Sequence, residues 1–525
     1  MDQLTRLLNL IPWWVWLLLV AAFVLYTLVL IVSPSASNPG RTRRGPESTA
    51  AQERETSSKW ATKRDLQPLI VKGARRAEPR RQRLGFLGKD LIQTDICASV
   101  MVVAPTDSGK TAGNVVPDIL DHVGPAVITS VKTDVKDLTQ FWRAQQGPVW
   151  TFDPSESSGP TVRWSPLSGV HTWADAIEAT RWLQNSSKVE KRGMEDREFW
   201  DANARKVLAP LLLLAAKRGG TMRQVVHWGN QLRTLEHTLS EQIHELGVPE
   251  AFDYFTAYCG LADRTKSSVD GTLFIVLEAW GHPSIQDAVD ITAQDDTDVL
   301  NLATIFEENG TLYLVAPMYE QELFTPIFET LVSAVWREAQ RRYATSGVID
   351  PPLALTLDEA ANIAPLRDLD KIASTGRGMG VKLKSVWQDE AQVINIYGPE
   401  RARTIYSNHT NKQFLGGISD DQTLERVSRL IGKATVERLQ HSNDRTGRTT
   451  VSTSTTDITL APPEWIRQLP TGQALVIVKN FKPMHLTTQP WYVDPDQRAR
   501  IDPTIAAAFD NYYATAPKRR AKTRS

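Results

Sequence analysis

The run Ala104-Pro105-Thr106-Asp107-Ser108-Gly109-Lys110-Thr111 carries the strongest chemical signal in the chain. Small residues let backbone N–H groups close around phosphate oxygens. A lysine at Lys110 reaches the β- and γ-phosphates of a nucleotide, and the hydroxyl of Thr111 faces Mg2+. A β-prone stretch from Ile96 to Val103 precedes the loop and a helical stretch starts near Lys110. The order is strand, loop, helix, and the helix N-terminus adds a favourable dipole for anions. The first position of the pattern, usually glycine, is Ala104, which lacks glycine's backbone freedom.

A second signal is PLALTLDEAANI, an apolar run Leu353–Leu357 ending in Asp358-Glu359. In a nucleotide hydrolase Asp358 organises Mg2+ through its water shell, and Glu359 orients or deprotonates the attacking water. Taken alone, two acids at this place also suit a helix N-terminus. The third signal, STGRGMGVKLKSVWQ, sets Arg377 between two glycines and ends a strand over Val381–Trp387 at Gln388. Ligand crevices of parallel α/β sheets lie at the C-terminal ends of strands. Gln388 is thus a candidate sensor of the γ-phosphate or the lytic water. Arg377 is a candidate arginine finger for a neighbouring subunit's nucleotide. The bland alternative is that Gln388 ends a strand and Arg377 neutralises a helix C-terminus.

Positioning these groups takes a sheet. Strands are expected near Cys97–Val103, Ala126–Ser130, Val149–Phe152, Thr311–Val315, Leu353–Leu357, Val381–Trp387, Asn411–Leu415 and Gln473–Val478. Their alternation with helical stretches, including an amphipathic one from Pro326 to Tyr343, argues an α/β fold with a parallel-rich central sheet. From about 172 to 299 the pattern turns helical, with Phe199, Trp200, Ala204, Val207, Leu208 and Leu211 at helical spacing. Residues Gln440 to Thr456 are rich in Ser, Thr, Asn and Arg and read as an exposed loop. The expected organisation is a short N-terminal segment (1–10), a transmembrane helix (11–32) and a basic linker (33–85). A nucleotide-binding domain (86–171 and 300–495) follows, interrupted by an all-α insert (172–299), and a C-terminal segment with a basic tail ends the chain (496–525).

Composition sets the limits. The 525 residues carry 60 Lys+Arg and 60 Asp+Glu, with 41% hydrophobic and 23% charged residues. These values exclude a mainly disordered, fibrous or polytopic membrane chain. A formal charge of zero means that any nucleic-acid contact must use local patches. Two cysteines, Cys97 and Cys259, exclude a disulfide scaffold, and no His/Cys spacing suggests structural zinc. Residues 11–32, IPWWVWLLLVAAFVLYTLVLIV, are apolar throughout, long enough to span a bilayer, and start with an interfacial tryptophan cluster. The basic excess after them places the C-terminal bulk in the cytoplasm, on a single-pass anchor in the inner or plasma membrane. The basic linker and the tail from Pro517 are solvated tethers or contacts for anionic partners.

These pieces, in this order behind one membrane anchor, resemble the type IV secretion coupling ATPases, TraG/TraD-like conjugative DNA-transfer proteins related to the FtsK/HerA translocases. The resemblance runs from about Gly85 to Asp494 and includes VVAPTDSGKTAGNVVPDIL, PAVITSVKTDVKDL, FDPS, WSPL, REFWDANARKVLAPLLLLAA, SNHTNKQFLGGISDDQTLERVSRLIG and LAPPEWIRQLPTGQALVIV. It implies a RecA-like P-loop NTPase motor assembled as a homo-hexameric ring, with ATP and Mg2+ as cofactors. Its substrate would be single-stranded DNA with an attached relaxase, delivered from the relaxosome to the secretion channel. The helical insert would sit at the ring's mouth and help to select substrate. Residue by residue, the resemblance implies nucleotide binding by Ala104–Thr111, Mg2+ at Thr111 and Asp358, and catalysis by Glu359, Arg377 and Gln388. The chain departs from the family at Ala104, in having one apolar span where many members have two, and in SVKTDV, where a PKGE-like run is common and Lys132 and Asp134 match in part. The competing functions are a membrane scaffold that binds nucleotide without turnover, a coupling ATPase for secreted proteins, and a double-strand DNA pump.

Overall fold

The structure is a computed structural model and describes residues 57–71, 77–186, 194–291, 298–317, 319–443 and 449–515. The apolar run 11–32 and the basic tail 517–525 lie outside the described residues. Among the described residues no helix is long and apolar enough to cross a membrane.

Among the described residues thirteen strands form: β1 Arg83–Leu87, β2 Asp90–Gln93, β3 Val100–Val103, β4 Ala126–Ser130, β5 Val149–Phe152, β6 Thr311–Val315, β7 Leu353–Leu357, β8 Val381–Trp387, β9 Asn411–Leu415, β10 Lys433–Asn443, β11 Thr449–Thr459, β12 Gln473–Val478 and β13 Met484–Thr487. Eleven make one sheet, in the order β2-β1-β13-β12-β9-β3-β8-β7-β4-β6-β5. The run from β9 to β5 is parallel throughout. The four strands on the other side of β9 pair antiparallel. A parallel sheet needs both faces covered, so its strands are apolar without alternation. In β3 all four residues are buried. Met101 and Val103 join the apolar core on one face, and Val100 and Val102 join the core on the other.

The first of these cores runs on into the helical block between β5 and β6. Its central helix, Met194–Lys217, has Leu211, Leu212, Leu213 and Leu214 completely buried. The Leu211–Leu214 stretch is apolar all round, and such a stretch must be enclosed. The helices Trp173–Ser186, Met222–Asn230, Pro249–Cys259 and Asp263–Leu277 contribute side chains to the same core.

Three local expectations change. The strand before the phosphate loop begins at Val100 rather than Cys97, because Cys97 sits at φ 50° in a turn. The linker expected over 33–85 is packed in its described part: Leu66, Leu69 and Leu84 are completely buried, and Ile70 bridges to Ile92. Those sparse apolar residues in a basic stretch are enough to close it onto the sheet. The loop expected at Gln440 to Thr456 belongs to a β-hairpin, with β10 and β11 in register from Lys433–Thr459 to Asn443–Thr449. Its Thr and Val content is strand-forming, a signal hidden by its polarity. At the hairpin's base the Ser58 N–H donates to the Lys433 carbonyl at 2.8 Å, and the Thr435 N–H donates to Ser57 Oγ at 2.8 Å. Trp60 packs beside Trp465 and His485, with ring centroids 5.9 and 5.8 Å away.

A buried polar network ties the helix after the phosphate loop to β8. Lys384, 1% exposed in the middle of β8, donates from Nζ to Asn114 Oδ1 at 2.8 Å and lies 3.4 Å from Asp118. Asn114 Nδ2 donates to Gln413 Oε1 of β9 at 2.6 Å. The Arg83 N–H donates to Asp118 at 2.9 Å, and the Arg83 guanidinium pairs with Asp121. Asp121 also receives Arg500 at 3.0 Å and Gln497 at 2.7 Å. Burial pulls the Lys384 ammonium below its ordinary pKa, and Asp118 opposes that pull. Removing one member of a buried pair strands the other charge, a loss of roughly 3–5 kcal/mol. Asp118→Ala is therefore expected to lower stability by about that amount, while Lys384→Met with Asp118→Ala recovers part of it. Denaturant melts of the single and double variants measure the difference, and equal losses would remove the pair from this role.

Candidate nucleotide site

The phosphate loop leaves the C-terminal end of β3 and enters a helix that begins with a π turn, Thr111–Val115, and continues as Val116–Asp121. Ala104 is completely buried, stays outside the left-handed region, and its N–H donates to the Trp387 carbonyl at 2.8 Å. Alanine is thus accommodated where glycine was expected. The left-handed turns fall instead on Asp107, at φ 61°, and Gly109, at φ 81°. A Cβ on Gly109 would also come within 3.3 Å of Thr471 Cγ2. The wall formed by Thr471 was not visible in the sequence, since nothing local announces a loop 360 residues away.

The acidic strand arrives beside it. In the parallel sheet β8 lies between β3 and β7, so Gln388 follows β8 at the same edge where Asp358 and Glu359 follow β7. The Lys110 ammonium forms an ion pair with Glu359 Oε1. Gln388 Nε2 donates to Glu359 Oε2 at 3.2 Å. Both carboxylate oxygens of Glu359 are thereby engaged by residues from the other two motifs. Glu359 itself sits at φ 55°, a left-handed backbone unusual for this residue type and of the sort that persists only where its surroundings hold it.

Asp358 is 5% exposed, and Thr129 Oγ1 of β4 donates to its backbone carbonyl at 3.0 Å. Its Oδ1 is buried and has no hydrogen-bond partner among the described residues, and neither has Ser108 Oγ of the phosphate loop. Burial pushes the Asp358 carboxyl up to about 7; Lys110 opposes the shift, and Glu359 and Asp134 add to it. An unpaired buried carboxylate oxygen beside a phosphate loop is the donor that a hydrated divalent cation needs. The Asp358 oxygen therefore fits a hydrated Mg2+, which Asp358 would hold together with Thr111, the residue after Lys110.

Arg377 is placed elsewhere. It lies near the end of the helix Leu369–Met379, which precedes β8, while Gln388 follows β8. Seven residues at about 3.3 Å each put roughly 20 Å between the two ends. Its guanidinium is half exposed and lies 3.7 Å from Asp95. Gly380, just after it, has φ 84°, and a Cβ there would meet the Ile349 carbonyl at 2.2 Å, so the second half of GRGMG serves the turn into β8. In the NHTNKQF segment, His409 is buried, held to Ser385 at 3.1 Å, and pushed by burial down to about 4.

Comparison with known proteins now decides the family. The family model described as type IV secretory system conjugative DNA transfer matches residues 51–518. This chain belongs to that family. It is a type IV coupling protein of the TraG/VirD4 kind. It is 23% identical over 407 residues to VirD4 of Rhizobium radiobacter, covering 75% of this chain and 57% of the relative. It is 24% identical over 385 residues to the conjugal transfer protein TraG of Escherichia coli, covering 66% and 57%. The chain thus spans less than two thirds of these relatives' length. In fold it is similar to the bacterial conjugative coupling protein TrwB, with a TM-score of 0.61, 17% identity, and coverage of 82% of this chain and 92% of that one. A TrwB structure in complex with ADP and Mg2+ gives a TM-score of 0.61 at 17% identity, with coverage of 83% and 93%. The α/β fold with a mostly parallel central sheet is similar to the fold of that protein.

The carboxyl of Asp358 has a stability consequence. A buried acid with a raised pKa costs nothing below the unfolded value near pH 4. The cost grows as pH rises and is fully present above about pH 7, because the unfolded chain ionises first. Asp358→Asn removes that cost. With divalent cations chelated, the variant's gain in melting temperature should be larger at pH 8 than at pH 5. An equal gain at both values would show that Asp358 does not titrate in this window.

Proposed function

We propose that this coupling protein is an ATP hydrolase that moves single-stranded DNA, with its relaxase attached, to a type IV secretion channel. The observation that carries this reading is the meeting of Lys110, Glu359 and Gln388 at one sheet edge beside the unpaired Asp358 oxygen. The TrwB structures with ADP and Mg2+, with a non-hydrolysable ATP analogue and with a non-hydrolysable GTP analogue support nucleotide binding together with Mg2+.

The residues divide the work as follows. The backbone of Ala104–Thr111 encloses the phosphates. Lys110 exchanges its Glu359 contact for the β- and γ-phosphates of ATP, which frees one carboxylate oxygen of Glu359. Gln388 keeps hold of the other oxygen and so fixes the carboxylate as base for a water attacking in line with the leaving group. Thr111 and Asp358 would hold Mg2+, which would supply positive charge to the phosphate oxygens. Arg377 lies too far from this chain's own loop to touch the same nucleotide. It serves the neighbour's nucleotide in a homo-hexameric ring. Residues 11–32 anchor the assembly in the inner membrane, with the bulk of the chain in the cytoplasm. The relaxosome and the channel are its partners, and the helical block is the surface that meets substrate.

Hydrolysis by the full chain in detergent, with and without single-stranded DNA, tests the reading. DNA should stimulate turnover. Lys110→Ala should lose nucleotide binding, while Glu359→Gln should keep it and lose turnover by about 100-fold or more. Tight ATP binding without turnover in the wild type would favour a nucleotide-binding scaffold, and turnover indifferent to DNA would favour protein cargo. Arg377→Ala should be inactive alone. Mixed under conditions of subunit exchange, it should regain turnover with Lys110→Ala subunits, because each supplies what the other lacks. Failure to recover at every mixing ratio would place Arg377 outside the catalytic interface.

A further inference from the structure

A cavity of about 510 Å3 has no residue of the phosphate loop in its lining. Its lining includes Glu390, Arg403, Tyr406, Lys412, Arg426 and Arg429. The cations come from three elements: the helix Pro399–Asn408, β9, and the helix Asp421–Ile431. Four positive groups face one carboxylate.

The compensation inside the cavity is incomplete. Glu390 pairs with Arg426 at 2.9 Å and is nearly inaccessible. Burial pushes its carboxyl up to about 7, against the pull of Arg426 and Arg429 and with Asp420 adding to the rise. Lys412 donates from Nζ to the His409 carbonyl at 2.6 Å, a neutral acceptor, and burial pushes its ammonium down to about 8. Among the described residues Arg403 pairs with the exposed Glu400, at 3.2 Å, and with no other carboxylate. Arg429 is exposed and makes no side-chain hydrogen bond or ion pair among the described residues. An anion entering here would meet guanidinium groups still able to donate, and arginine forks match phosphate oxygens in pairs.

The shape favours more than a bare ion. Arg426 lies over the Tyr406 ring at 4.7 Å, and Leu430 stands exposed at the rim. Flat cationic and apolar surfaces beside a charge cluster suit one nucleotide unit of a strand, with its phosphate on the arginines and its base against the rim. The position is also informative. Glu390 begins the helix that follows Gln388, and Lys412 is paired in register with Met101 of β3. An occupant would touch the segment after Gln388 and the strand beside the one that carries the phosphate loop.

We infer that this cavity is a second phosphate site, which grips a backbone phosphate of the single strand being moved. The inference rests on the DNA-moving function proposed above, and names where the grip lies. A free nucleotide's phosphate is the other source of the same chemistry.

The test uses the full chain in detergent and a labelled single-stranded oligonucleotide, with affinity followed from about 50 to 200 mM salt. Each phosphate contact on a single strand contributes about 0.7 to the slope of log affinity against log salt. The double variant R403Q/R429Q should bind roughly tenfold more weakly at the low-salt end, with a slope shallower by about 1.4. R403K/R429K should restore most of both. Both side chains are exposed, and thermal melts of every variant confirm the fold. Wild-type affinity and slope in a folded R403Q/R429Q variant would overturn the inference while leaving the proposed function standing. Loss of a second equivalent of labelled ADP in R403Q/R429Q, beyond the one held at the phosphate loop, with DNA binding intact would overturn it in favour of a free nucleotide. A wild-type chain that neither binds single strands nor is stimulated by them would overturn both.

Discussion

The ion pair between Lys110 and Glu359 joins residues 249 positions apart, and it closes only if two strand ends finish at one edge of the sheet. Parallel pairing supplies that geometry, because every strand then delivers its C-terminal residue to the same side. Inserting β8 between β3 and β7 adds a third strand end, Gln388, beside Glu359. The two neighbouring strands are stitched to β8 by backbone bonds just past their ends, from Ala104 to Trp387 and from Ala360 to Val386. The remaining architecture follows from keeping this edge rigid: a covered sheet, two apolar cores, and a helical block that shares one of them.

Holding three strands in register leaves a problem behind the phosphate loop, where β8 carries Lys382 and Lys384 in a fully buried run. The chain resolves it with the Asn114–Lys384–Asp118 contacts and the arginines that reach Asp121 from both ends of the α/β unit. Charge inside a sheet is expensive unless every polar atom is matched. The network therefore restricts how far the helix after the phosphate loop can move relative to β8.

Much of the site was legible because local chemistry determines it. The loop Ala104–Thr111, the acids Asp358 and Glu359, and Gln388 each end a short apolar run, and the structure gathers these motifs at one edge. The strands Ala126–Ser130, Val149–Phe152, Thr311–Val315, Leu353–Leu357, Val381–Trp387, Asn411–Leu415 and Gln473–Val478 appear where they were expected. What was hidden depends on distant contacts. Leu66 and Leu69 read as part of a tether until the sheet covers them. The hairpin β10–β11 carries polar residues on strand geometry, so hydropathy alone made it a loop. Lys384 looks like an exposed residue of an alternating strand, though its partners Asn114 and Asp118 stand four apart on the helix after the phosphate loop. Strand order, which brings Gln388 between the other two motifs, has no local signature at all.

The bonds at Ser57 and Ser58 bear on how mechanical force would enter the molecule. These residues grip Lys433 and Thr435 at the root of the hairpin, and Trp60 is wedged beside Trp465 and His485. A pull applied upstream of Ser57 is therefore taken up first by the hairpin root and the tryptophan wedge. The phosphate loop hangs from a different strand, three places further into the sheet than β13. Tension arriving at Ser57 and strain at the phosphate loop are thus borne by separate parts of one body.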